Sequence, residues 1–101
     1  MNHLYEARNL SNQKLPWIKV RIKKLKCDDA LGCALAINNE INISEDMGSW
    51  NDLTTKYVVF HELCHKYFGG KHTEKGLMAP VIQDLSEGEI IKDFKKCAGV
   101  I

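Results

Sequence analysis

Residues 50–72 read WNDLTTKYVVFHELCHKYFGGKH, and the reading of this stretch decides the fold. Its first part, from Thr54 to Phe60, is β-prone by residue type. It runs without a break into His61-Glu62-Leu63-Cys64-His65, whose two histidines share a face only on a helix, where four residues turn through about 400°. One helix from about Trp50 to Phe68 accommodates both parts. Ser49, with Asp52 three residues on, signals its start, and Gly69-Gly70 its stop. Leu53, Tyr57, Phe60 and Cys64 line one side, while Val58, Val59 and Leu63 lie elsewhere. A helix apolar nearly all round is expected to be central and buried.

Upstream, Leu4, Ala7 and Leu10 recur at helical spacing, which predicts a short helix over about residues 2–12, closed by Pro16. Ile18, Val20 and Ile22 then alternate with Lys19, Arg21 and Lys23, the period of a half-buried strand. The apolar run Cys33 to Ile37, the turn-like Asn38-Asn39-Glu40 and the alternating Ile41 and Ile43 predict a hairpin or two short strands. Downstream, a loop carries His72 and Met78 and is closed by Pro80. Ser86 and Glu89 form an S-x-x-E capping box that opens a helix to about Cys97, with Ile90, Ile91 and Phe94 toward the core and Gly99 past its end. The expectation is one α+β domain over residues 1–101: a small mixed or antiparallel sheet, a central helix bearing the histidines, and a C-terminal helix.

Composition sets bounds on this picture. At 101 residues, 45% of them hydrophobic and 27% charged, the chain is globular, but a domain this small buries only roughly 60–65% of its unfolded surface. A formal net charge of +1 gives no general attraction to nucleic acid or membranes. Lys19, Arg21, Lys23, Lys24 and Lys26 form a basic edge without interleaved aromatics, which reads as a lysine-guarded edge strand rather than a nucleic-acid surface. No stretch is apolar enough to span a bilayer, and the N-terminus lacks the apolar core of a signal peptide, so a cytoplasmic location is the expectation. Cys27, Cys33, Cys64 and Cys97 contain no C-x-x-C pair. They read as free thiols, with a Cys27–Cys33 disulfide or a regulatory thiol as alternatives. His3 has no motif partner and is expected at the surface.

The chemistry concentrates in residues 61–72, which hold three of the four histidines. His61 and His65, one turn apart, can reach a single ion, and Glu62 beside them suits a general base for water. A catalytic zinc needs a third protein ligand and one open position. His72, beyond the helix break at Gly69 and Gly70, is the candidate, since glycine lets the chain turn back sharply. The competing reading is a pair of ordinary solvated histidines. It is disfavoured because unpaired imidazoles on an apolar helix are costly.

The string from His61 to His72, followed by Gly76-Leu77-Met78-Ala79-Pro80, resembles the metzincin clan of zinc peptidases, whose pattern is H-E-x-x-H-x-x-G-x-x-H with a later methionine turn. Gly69 keeps its offset to His72, while one extra residue separates it from His65. The resemblance covers residues 50–80 and implies a zincin-like fold with one catalytic zinc on His61, His65 and His72. It also implies Glu62 as base, Met78 as apolar floor, and hydrolysis of a peptide or protein substrate. The tyrosine that many metzincins carry after the methionine turn has no counterpart here. Spartan-like peptidases are also similar around H-E-L-C-H but differ after His72. The other functional readings are a latent or non-catalytic zinc-stabilised binding module on the same scaffold, and a toxin or effector peptidase.

Overall fold

The computed structural model describes residues 2–16, 18–24, 34–37, 39–45 and 50–100. Along the chain these form α1 (Asn2–Leu10), β1 (Lys19–Lys23), β2 (Ala34–Ile37), β3 (Glu40–Ser44), α2 (Asp52–Phe68) and α3 (Glu87–Cys97). The fold is α+β, with three helices and a three-stranded sheet among the described residues.

The sheet order is β1-β3-β2. β2 and β3 pair antiparallel, Ile37 against Glu40 and Ala34 against Ile43, so they form the expected hairpin. Asn39 takes the left-handed conformation (φ 59°) that tight hairpin turns favour. β1 joins β3 in parallel, Val20 opposite Ile41 and Ile22 opposite Ile43, which makes the sheet mixed. β1 is an edge of this sheet, its Lys19, Arg21 and Lys23 exposed as alternation requires. Arg21 forms an ion pair with Glu40 of β3. Lys26 of the basic edge, and Cys27 and Cys33, lie outside the described residues.

α2 keeps its helical conformation through the β-prone stretch because burial outweighs local propensity: Tyr57, Val58, Val59, Phe60, Leu63 and Cys64 are all buried. The helix begins later than expected. Its cap is Asn51, whose side chain accepts the Thr54 N–H at 2.7 Å; Ser49 lies outside the described residues. It ends as expected at Gly69, where φ is 65°, a conformation that a residue with a Cβ resists. The α3 capping box is present in both directions, Ser86 Oγ accepting from Glu89 N–H and Glu89 Oε1 from Ser86 N–H. Ile90 and Phe94 are buried and Ile91 is half-buried. Phe94 meets Phe60 with ring centroids 4.5 Å apart, and this contact joins α3 to α2 at the middle of the core.

α1 is shorter than its periodicity suggested. Asn12 and Gln13 both take positive φ and break the helical ladder ahead of Pro16. Ala7 is buried, as expected for its face. His3 corrects the surface assignment. It is 5% exposed, with Nε2 2.9 Å from Asp52 Oδ1 at the start of α2. One turn further along α2, the buried Lys56 reaches Glu6 of α1 at 2.9 Å and Glu87 of α3 at 3.5 Å. Burial alone would lower the Lys56 ammonium, but the two carboxylates raise it on balance. The N-terminal end of α2 is thus held to both other helices by charge pairs.

Candidate metal centre

His61 and His65 leave α2 on one face, and Tyr57 precedes them on the same face at the same four-residue interval. Past Gly69 the chain turns back, and His72 arrives from the loop with its ring centroid 5.4 Å from His61 and 4.8 Å from His65. One nitrogen from each of the three rings lies within 4.8 Å of the others, a group able to hold a metal ion. The loop then makes a tight turn at Gly76-Leu77-Met78-Ala79, closed by Ala79 N–H donating to Gly76 O at 3.1 Å. Thr73 N–H donates to Met78 O at 3.0 Å, so the ascending and descending arms of the loop are tied together. Met78 is buried in the core cluster at this turn.

The ring orientations are informative. His61 Nδ1 lies 2.8 Å from Leu77 O, and His65 Nδ1 lies 2.8 Å from Gly70 O. A carbonyl oxygen only accepts, so in each ring Nδ1 carries the proton and, in the neutral ring, Nε2 carries a lone pair. Those two Nε2 atoms face each other at 3.1 Å. The apposition is unfavourable unless a proton or a cation lies between them. A shared proton demands an imidazolium, and burial, the foremost influence on His61, pushes its protonation down, with His65 and His72 adding repulsion. A cation fits better: two nitrogens at 2.0–2.1 Å from a tetrahedral ion stand roughly 3.3 Å apart. His72 is exposed on its loop, with one ring nitrogen within 4.8 Å of those of His61 and His65.

Glu62 is half-buried beside His61, and burial pushes its carboxyl up to about 7. Cys64, although inside the motif, turns away into the core. It is fully buried, and its thiol is pushed up by hydrogen bonding to Cys97 of α3 and by burial. Among the described residues the ligand group therefore consists of the three histidines. Tyr67 is also directed elsewhere, its hydroxyl donating to Asn39 Oδ1 at 3.0 Å.

Sequence reasoning brought together the residues that meet here but missed those that support them. Leu77 and Gly70 act through backbone carbonyls, which no side-chain pattern reveals. Tyr57 was legible only as a core residue, although its four-residue interval to His61 places it on the face that carries the histidines. The chain matches no protein-family model, no curated protein and no solved structure.

Proposed function

We propose that this chain is a minimal zinc-dependent peptidase of zincin type, with a single zinc held by His61, His65 and His72 and with Glu62 as its general base. The observation that carries the reading is the 3.1 Å apposition of two Nε2 lone pairs, each fixed by a carbonyl behind the ring. A three-histidine set, with no fourth donor in its group among the described residues, favours a catalytic over a closed structural site. Bound zinc supplies a Lewis acid that polarises a substrate carbonyl and acidifies water.

The chain's own residues account for the remaining chemistry. The two carbonyls hold His61 and His65 in the tautomer that presents Nε2. Glu62, half-buried beside the ligand His61, would take the proton from the attacking water and return it to the departing amine. The zincin-like assignment and the metzincin resemblance are supported by the order of parts: a helix with two ligands, a left-handed glycine at 69, a third histidine, and a buried methionine in a tight turn. The basic edge strand takes no part in this reading. The described helices include none long and apolar enough to cross a membrane.

The test is Glu62→Ala in zinc-loaded protein, assayed on a fluorogenic unfolded protein substrate. Zinc content should stay at one per chain while hydrolysis falls by about 10²–10⁴-fold. Wild-type protein that holds zinc and cleaves nothing, or a variant as active as wild type, contradicts the mechanism.

A further inference from the structure

The peptide plane between Gly76 and Leu77 is gripped at both ends. Its carbonyl, Gly76 O, accepts the Tyr57 hydroxyl from α2 at 3.2 Å. Its N–H, on Leu77, donates to Asp93 Oδ2 from α3 at 3.1 Å. Tyr57 has one hydroxyl proton to give, and its oxygen in turn accepts the Gln83 N–H at 3.1 Å, so its direction is fixed. Gly76 has φ 87°, and a Cβ there would lie 2.7 Å from Asp93 Oδ2. Only glycine lets the carboxylate approach this plane. The next carbonyl along the chain is Leu77 O, which receives the His61 Nδ1–H.

We infer that Asp93, opposed by Tyr57, is a positioning residue for metal binding, holding the Gly76–Leu77 peptide so that Leu77 O fixes the ring of His61. The inference rests on the metal-site reading above and adds to it a residue from a helix that carries no ligand. The physical chain is short. A charge-assisted bond to Leu77 N–H restrains the rotation of the peptide plane. That restraint fixes the N–Cα bond of Leu77, from which the carbonyl of the following peptide unit projects, and the carbonyl sets both the tautomer and the angle of the imidazole. Groups that orient a ligand in this way typically alter metal affinity by about 10–100-fold. Tyr57 works on the opposite end of the same plane and contributes a neutral hydrogen bond, so its share is smaller.

The experiment measures zinc affinity by competition with a chromogenic chelator, and ligand geometry by the absorption bands of Co²⁺ substituted in the same site. Asp93→Ala should weaken zinc binding by about 10–100-fold and shift the cobalt bands. Asp93→Asn, which keeps an acceptor oxygen, should recover most of the affinity. Ser86→Ala, which removes the α3 cap without touching the loop, should lose stability but keep wild-type affinity. Equal affinity in wild type and Asp93→Ala overturns the inference, as does a loss in Ser86→Ala as large as that in Asp93→Ala. If Asp93→Ala does not fold, Tyr57→Phe decides: a several-fold loss supports the clamp, and unchanged affinity and cobalt bands overturn it. Wild-type protein that binds neither metal defeats the metal-site reading itself, and the clamp with it.

Discussion

The two ends of α2 each hold a buried histidine, and the rings face opposite situations. At the N-terminal end, His3 presents Nε2 to the Asp52 carboxylate at 2.9 Å, and Lys56 nearby is paired with Glu6 and Glu87. These contacts pair groups of complementary character and hold α1 and α3 against α2. At the C-terminal end, His61 and His65 have their Nδ1 atoms bonded to carbonyls, while their Nε2 atoms point at one another. Burial alone therefore does not mark a ligand: His3 is 5% exposed and His61 is 2% exposed. What separates them is the group facing Nε2, an acceptor in one case and another lone pair in the other. The first ring nitrogen is met by a carboxylate of the protein, whereas the second belongs to a group able to hold a metal ion.

The comparison can be broken most forcefully at the ligand end. His65→Ala removes one of three donors, and zinc affinity should drop by about 10²–10⁴-fold, given a total of roughly 10–16 kcal/mol for structural zinc sites spread over their ligands. Chelator competition measures it, and tight stoichiometric zinc in that variant would place the ion elsewhere. The opposite end should respond in a different quantity. His3→Ala loses a hydrogen bond and some packing but leaves Asp52 free to hydrate, its side chain being 88% exposed. Denaturant unfolding of the zinc-free protein should show a loss of about 1–2 kcal/mol, with zinc stoichiometry and affinity unchanged. A His3→Ala variant with impaired zinc binding would erase the distinction between the two ends.

Much of this architecture was legible because it is local. The S-x-x-E box at Ser86 and Glu89, the glycine stop at 69, the hairpin turn at Asn39 and the shared face of His61 and His65 all depend on residues within a few positions of one another. The features that escaped are long-range. Nothing near His3 announces that α1 will bring it to Asp52, 49 residues away. Lys56 read as one more residue of a β-prone stretch, because the carboxylates that allow its burial come from two other helices. The parallel pairing of β1 with β3 needs a crossover whose course periodicity cannot specify. Asn51 and Ser49 are both capping residue types, and only the bond from Thr54 N–H shows where the helix begins. At the site, the motif pointed to three histidines that the fold brings together, whereas Asp93 looked like any other charged residue of α3 until the loop folded onto it.

Zinc titration of the metal-free protein, followed through the ¹⁵N resonances of its four histidine rings, weighs these two ends in a single experiment. Nε2 of His61, Nε2 of His65 and one nitrogen of His72 should shift together and stop changing at one equivalent, while His3 stays where it was. Signals that never saturate, a His72 ring that ignores the metal, or a His3 ring that follows it would each contradict the account.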